Sequence, residues 1–596
     1  MDMENELLKC DPQDVSIKTF FLGPQAENQE WVRGAVNYLL TQWFQWRESC
    51  FPNDGEAIPI SNRTQDEFLF KQKKFMNLLQ ELSHRFEGEV PKFTPRYVGH
   101  MLSELSLPAL LGHILTLLHN PNNISGESSL VGIQIEKEAI EDLCKMVGWS
   151  EGQGLGHFTS GGTIANFESL LRAKYRLYQW LSLGTYLKEQ KKTDRSLFYF
   201  AHMGWKEFDR HMTLVNQEEF SQWKQEWLSN PIRFAHHVSR LFHVNFEGPV
   251  LLVSQSKHYS WPKGVQLLGM GSDRLVPVEL DKNGRMSVSH LRELINKFYV
   301  QNIPIAGIVS VAGTTELGTV DPLDEIHAEL QSQLQNGYHF WHHIDAAYGG
   351  FLCSMIGMEE DQGSFSELIT KLKAMRFANS ITIDPHKLGY VPYSSGVILV
   401  KDRREYSYQE IQAPYIQFDS KNDVGLQTLE GSRSAAGAVA TWLTERSIGL
   451  NPDGYGRILA RTILVKDLIQ AKLAAEGSLV GLFPGLDTNV LCFCIASSGN
   501  SLSQINNGVQ TIYNQFAPTN SKSPFIFSKT QLKFKNYGPT LNEFIRNHEI
   551  RKDAEDLSLI RLCLMNPFIL SKETKVKYTE ELIASLKFAI KNHIMD

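Results

Sequence analysis

Cysteine is scarce and badly spaced for metal. The 596-residue chain has seven: Cys10, Cys50, Cys144, Cys353, Cys492, Cys494 and Cys563. No Cys-x-x-Cys pair or Cys/His cluster has zinc spacing. The odd, scattered count argues against a disulfide framework and fits reduced thiols in the cytoplasm. Cys492 and Cys494 fall two apart on one expected strand and so share a face. An excess of positive charge is also missing. Lys and Arg total 59 against 66 Asp and Glu, a net charge of −7. That gives no electrostatic case for nucleic acid or an anionic membrane. No apolar run reaches membrane-spanning length. The opening MDMENELLKCDPQD has neither the basic nor the apolar region of an export signal. Neither a P-loop nor a dinucleotide fingerprint occurs, and no repeat or low-complexity tract is visible. What remains is ordinary globular composition, 42% hydrophobic and 21% charged, enough for two or three domains.

The stretch 380–395, SITIDPHKLGYVPYSS, organises the reading. A β-branched run predicts a buried strand that Asp384-Pro385 ends, placing His386 and Lys387 on a turn. Residues 396–400 predict the next strand. A lysine at a strand end beside a histidine can form a Schiff base if its surroundings keep the amine partly neutral.

Residues 1–95 read as a helical segment, with amphipathic helices over 32–46 and 68–86 around a Pro/Gly/Asn-rich loop. Its expected role is packing, across a subunit interface. A helix is predicted over 133–147. The turn Thr159-Ser160-Gly161-Gly162-Thr163 then opens another helix, as a phosphate cradle would. Residues 185–247 read as an irregular, partly helical insertion. Beyond them, strands at 248–254, 303–311 and 339–344 alternate with helices at 287–299, 322–334 (from an Asp321 N-cap) and within 365–376. This alternation predicts a mainly parallel sheet with crossover helices. His258, Thr315, Asp345 and Lys387 all fall just past strand ends, where such sheets bind ligands. His342 and His343 alternate between strand faces, which argues against a metal site. Residues 401–427 read as a long loop, a lid carrying Tyr415. A small-residue helix is expected over 428–446, then a smaller α+β domain with strands at 489–495 and 560–565. The domains expected are 1–95, 96–427 and 428–596.

A cofactor with a phosphate, an aldehyde and a basic ring nitrogen would use this whole rim, and pyridoxal phosphate meets all of those demands. FTSGGTIAN, SQSKHYSW, GTTELGTVDPLDEI, HHIDAAYGG, DPHKLGYVPY and LEGSR, in this order, resemble the group II pyridoxal-phosphate amino-acid decarboxylases, bacterial tyrosine decarboxylases above all. FLGPQAEN, SNRTQDEF and RYVGHM extend the resemblance into the N-terminal region.

The resemblance implies a fold-type I enzyme, working as a homodimer with its active site at the subunit interface. It implies Lys387 as the Schiff-base lysine, His386 near the phosphate, and Asp345 on the pyridine nitrogen. Ala347 and His258 take opposite ring faces. Thr315 and Asp384 lie close to the cofactor, and Gly162 and Thr163 help form the phosphate cradle. Tyr415 is implied as proton donor, Arg561 as a carboxylate ligand, and His100 and Tyr393 as pocket residues. Asn566 departs from the tyrosine-type pattern near Arg561, and Arg433 departs from it after Ser432. The expected reaction is decarboxylation of an L-amino acid, aromatic and tyrosine first. The alternatives are an acidic substrate, with Arg433 or Arg561 as its ligand, or a fold-related carbon–carbon lyase.

Overall fold

A computed structural model describes residues 15–358, 365–406, 424–475, 480–483, 487–571 and 573–595. Two helices open it, α1 (Gln29–Cys50) and α2 (Asp66–Phe86), and neither buries a residue against the rest of the chain. Next come α3 (Leu107–His119), capped by the Ser106 side chain, and α4 (Leu130–Met146).

A seven-stranded sheet follows. Its strands are β1 (Leu155–Thr159), β2 (Val250–Ser254), β3 (Leu275–Val278), β4 (Ile305–Val311), β5 (His342–Ala346), β6 (Ser380–Ile383) and β7 (Gly396–Val400). Their order is β1-β7-β6-β5-β4-β2-β3. The pairs β2–β3, β2–β4, β4–β5 and β5–β6 are parallel, while β7 runs antiparallel to β6 and β1. Every residue of β2, β4, β5, β6 and β7 is buried. Strands covered on both faces read as continuous apolar runs, which is why this core was predictable. The edge strand β1 was not expected. Its LGHFT pattern is short, and its place is fixed by pairing with β7, more than two hundred residues away.

The structure corrects the insertion. The helix α5 (Gly162–Glu189) runs on to Glu189, and four more follow over Leu197–Ala201, Gly204–Met212, Gln217–Leu228 and Pro231–Phe242. Asn216 and Asn230 each accept backbone N–H bonds as N-caps, the local signal that marks two of these starts. Asp321 is not an N-cap. Helix α6 (Leu323–Gln335) starts after Pro322, and the buried Asp321 carboxylate accepts from Met286 N at 2.7 Å and Val311 N at 2.8 Å. Strand β5 extends past Ile344, so Asp345 lies in its last turn rather than beyond it.

The predicted small-residue helix begins later, as α7 (Ala436–Ile448), and it packs on α3 and α4. An antiparallel four-stranded sheet then forms from β8 (Val480–Leu482), β9 (Val490–Ile495), β10 (Ser528–Lys533) and β11 (Asp556–Cys563), in the order β10-β11-β9-β8. Cys492 and Cys494 lie on β9 as buried free thiols. No described helix is long and apolar enough to cross a membrane.

Candidate active site

Because β2, β4, β5 and β6 are parallel, the segments leaving their carboxyl ends converge on one edge. There they enclose a cavity of about 310 Å³. Its lining includes Gly162, Thr163, His258, Thr315, Asp345, Ala347, Asp384, His386, Lys387 and Tyr393. Residues from five separate stretches, chosen from local pattern and from the family resemblance, thus line one cavity.

Asp345 is buried and held from two helices. Its Oδ2 accepts from Asn166 Nδ2 at 2.8 Å and Trp261 Nε1 at 3.2 Å. Asn166 also donates to Ser260 Oγ at 3.0 Å. His258 Nδ1 accepts the Ser260 backbone N–H at 3.3 Å. That bond leaves the neutral ring's proton on Nε2. Burial lowers the His258 pKa, opposed by the Asp345 carboxylate and assisted by the Lys387 charge.

The Lys387 ammonium meets Asp384 Oδ2 at 3.0 Å. Burial works against its charge, but the Asp384 carboxylate outweighs it, and the lysine pKa is raised. The expectation of a partly neutral amine is therefore not met in the chain by itself, because the neighbouring acid was not weighed. His386 Nε2 lies 3.5 Å from the same Asp384 oxygen, and its ring stacks at 4.1 Å on Tyr393.

The site fits pyridoxal phosphate on features of its own. Asp384 Oδ1 and His386 Nδ1 are buried without a partner among the described residues. The Gly161-Gly162 turn delivers the α5 N-terminus to the cavity, where its amides suit an anion. Space there is tight. A Cβ on Gly162 would stand 2.8 Å from Asp384 Oδ2 and 3.1 Å from the Ala347 Cβ.

Other expected residues are placed elsewhere. His100 is exposed and Arg561 is buried, and neither lines the cavity. Arg561 Nη1 points instead at the Gly99 carbonyl, at 3.4 Å, and its Nε has no partner among the described residues. Asn566 is a buried turn residue. Its Nδ2 donates to Phe93 O at 2.8 Å and its Oδ1 accepts from Phe568 N at 2.9 Å. Arg433 is a structural ion pair: Nη1 reaches Glu136 Oε1 at 2.6 Å and Phe158 O at 2.9 Å. Its Nη1 and Nη2 groups are engaged away from the cavity, with Glu136, Phe158 O and Asn123 O, and its Nε has no partner among the described residues. Tyr415 lies outside the described residues. The sequence reading missed Asn166, Ser260 and Trp261 behind Asp345, and Met101, Ser256 and Tyr348 in the wall. Asn166 and Trp261 stand inside quoted motifs, GGTIAN and KHYSW, and that was their only signal.

Comparison with known proteins agrees with this geometry. The pyridoxal-dependent decarboxylase conserved domain matches residues 61–214 and 236–495, and a tyrosine decarboxylase C-terminal model matches 478–590. An L-tyrosine decarboxylase of Levilactobacillus brevis is 30% identical over 96% of this chain and 95% of its own. An aspartate 1-decarboxylase of Aliivibrio fischeri is 30% identical over 57% of this chain and 53% of its own. Among solved structures, mouse CSAD in apo form aligns with a TM-score of 0.60 at 18% identity, covering 93% of this chain and 99% of that one. Oryza sativa TDC with PLP and tryptamine aligns with a TM-score of 0.60 at 12% identity, covering 96% and 99%. These two likenesses carry the fold. With the family domain matched over most of its length, the chain belongs to the pyridoxal-dependent decarboxylases and is a pyridoxal-phosphate-dependent amino-acid decarboxylase.

Proposed function

We propose that this enzyme removes the α-carboxylate of an aromatic L-amino acid, L-tyrosine first. The observation that carries the substrate class is the match of residues 478–590 to the tyrosine decarboxylase C-terminal model. The chemistry that pyridoxal phosphate supplies when bound is an electron sink for the pair left behind by CO₂.

Lys387 would hold the cofactor aldehyde and Asp345 its ring nitrogen, with Ala347 and His258 beside the ring. The Gly162–Thr163 turn and His386 would hold the phosphate, near Thr315 and Asp384. Asn166 and Trp261 keep the Asp345 carboxylate aimed, and His258 keeps a proton on Nε2 for delivery near the reacting carbon. Tyr393, on the cavity wall, contacts the substrate side chain. Tyr415 is assigned as a second proton donor. His100 and Arg561 border the substrate from behind the wall, a place supported by the bond joining Arg561 to Gly99.

The active assembly is a homodimer. Trp31, Tyr38, Phe44, Trp46, Phe70 and Phe75 are each at least half exposed on α1 and α2. Apolar surface of that extent calls for a second copy of the chain. A division of the chain at 427 separates the two sheets, although α7 packs back onto α3 and α4, and one at 95 sets the first two helices apart. The six cysteines among the described residues are free thiols, five of them buried, which fits a reducing cytoplasm.

The test is CO₂ release from the twenty L-amino acids and L-DOPA with added pyridoxal phosphate. Release from tyrosine or DOPA supports the reading. Release from glutamate or aspartate alone overturns it in favour of an acidic substrate, the reading that the Aliivibrio fischeri relative supports.

A further inference from the structure

Behind the cavity, a line of buried polar side chains runs from β6 to Asp345 and His258. Its members are Ser169, Ser380, His343, Asn166 and Ser260, each 2% exposed or less. His343 and Asp345 lie two apart on β5 and so share one face. Helix α5 packs there and brings Asn166 and Ser169, one turn apart.

One hydrogen-bond direction satisfies the whole line. A carboxylate only accepts, so the Asn166 atom 2.8 Å from Asp345 Oδ2 is the amide nitrogen. Its second proton goes to Ser260 Oγ at 3.0 Å. Asn166 Oδ1 therefore faces His343 Nε2, at 3.3 Å, and needs a donor there. Burial keeps the His343 ring neutral, its pKa lowered to about 3, so the ring carries one proton, on Nε2. That proton is shared with Thr382 Oγ1, also at 3.3 Å. Nδ1 must then accept, and Ser380 Oγ supplies the proton at 2.8 Å. Ser169 Oγ, 2.8 Å from Ser380 Oγ, donates to it in turn. At the other end, Ser260 Oγ has accepted from Asn166, and its own proton goes to His258 Nδ1 at 3.0 Å. The opposite tautomer of His343 would set a lone pair against Asn166 Oδ1. Turning the amide to escape it would put Oδ1 against the Asp345 carboxylate.

We propose that His343 is a positioning residue for the reaction: through the Asn166 amide it holds the Asp345 carboxylate in place and fixes the proton of His258 on Nε2. It does not line the cavity itself. The inference rests on the roles given above to Asp345 and His258, and it is independent of which amino acid is decarboxylated.

Two substitutions separate the two ring nitrogens. His343→Asn keeps an acceptor near Nδ1 for Ser380 and removes the donor at Nε2. His343→Gln restores an N–H near Nε2. His342→Asn is the matched control, because His342 is also buried, pairs with Ser310 Oγ at 2.8 Å and lies on the other strand face. Titration of each apo-enzyme with pyridoxal phosphate, followed by absorbance, gives cofactor affinity. Steady-state kinetics at saturating cofactor gives kcat and KM. His343→Asn should weaken cofactor binding and lower kcat, each about tenfold, with KM unchanged. His343→Gln should recover both to within about threefold of wild type, and His342→Asn should change neither. In an Asn166→Ala background, His343→Asn should cost nothing further, because the route is already cut. Equal losses in His343→Asn and His342→Asn would reduce His343 to a fold-stabilising residue and overturn the proposal, as would losses that add to those of Asn166→Ala. Should His343→Asn fail to fold, Ser380→Ala carries the test: it withdraws the proton that holds Nδ1 as acceptor and should lower both quantities about threefold, and no change overturns the proposal. Asp345→Asn is run alongside. Wild-type affinity and kcat there would overturn the Asp345 reading and this one with it, whereas a loss there with none in His343→Asn overturns the positioning role alone.

Discussion

Lys387 Nζ stands 3.0 Å from Asp384 Oδ2, while the other Asp384 oxygen is buried and unpartnered. One carboxylate therefore sets the charge of the lysine that must react. Burial alone would lower the Lys387 pKa, and the Asp384 charge turns the net shift upward. A protonated amine is no nucleophile, so cofactor uptake by the apo-enzyme should quicken as pH rises. Asp384→Asn removes the nearest raising influence and leaves burial opposed only by Asp345 and Tyr393, so the same profile should move to lower pH. Absorbance of bound cofactor, followed against time at each pH, measures it. An unmoved profile would remove Asp384 from this role. Lys387→Ala should take up no cofactor covalently and lose about 10⁴-fold or more in activity.

The cradle makes a steric prediction. Gly162→Ala puts a methyl 2.8 Å from Asp384 Oδ2 and 3.1 Å from Ala347 Cβ. Real Cβ atoms do not sit so close, so the turn or the acid must move. Cofactor affinity should fall, and the thermal midpoint of the apo-enzyme should fall with it, because both clashing atoms belong to the chain. Equal affinity in the two proteins would show that the cradle gives way freely.

Asp345 gives a graded series. Asp345→Asn should lower CO₂ release by about 10²–10³-fold, the range for losing a preorganised electrostatic partner. Asn166→Ala should cost about tenfold, because it removes one of the two side-chain donors holding the carboxylate. If Asn166→Ala costs as much as Asp345→Asn, then Asn166 touches the reacting groups itself. Steady-state kinetics at saturating cofactor separates these outcomes.

The series also marks what was readable in the sequence. His258, Thr315 and Lys387 each follow an apolar run that reads as a strand, and that pattern is local. The residues behind the rim are not local. Asn166 comes from one helix and Trp261 from another, and they meet Asp345 only once the crossovers are packed. Residues 185–247 misled for a different reason: they hold the end of α5 and four helices of 5 to 12 residues, so no single period runs through the segment. His100, Arg561 and Asn566 were expected around the substrate. Their placement depends on how the small sheet packs against residues 96–100, joined there by a bridge of Tyr97 to Ile526, and no spacing in the sequence encodes that.

Arg433 offers a test of structural against substrate-binding chemistry. Its guanidinium is 95% out of solvent and bonded to Glu136, Phe158 O and Asn123 O. Arg433→Met strands the Glu136 carboxylate and should cost about 3–5 kcal/mol of stability. The KM for every accepted substrate should be unchanged at temperatures where the variant is folded. A selective rise in KM for glutamate or aspartate would restore Arg433 as a carboxylate ligand.

Acid stability turns on two neighbours in β5. Burial lowers His342 to about 3, and lowers His343 to about 3 despite the Asp345 carboxylate. Both stay neutral in the fold, where His342 Nε2 pairs with Ser310 Oγ and His343 Nδ1 with Ser380 Oγ, each at 2.8 Å. The unfolded chain takes up protons at these positions near the ordinary histidine value of 6.5. Between that pH and about 3 the unfolded state holds more protons, so stability rises with pH across this window. It is complete above the unfolded value and is lost progressively on acidification. The slope should be on the order of 1 kcal/mol per pH unit for each histidine. Urea midpoints at successive pH values between 7 and 5 would show it, and His342→Asn should remove about half of that pair's slope while leaving the direction unchanged. A slope identical in the variant would mean that other groups carry the acid sensitivity.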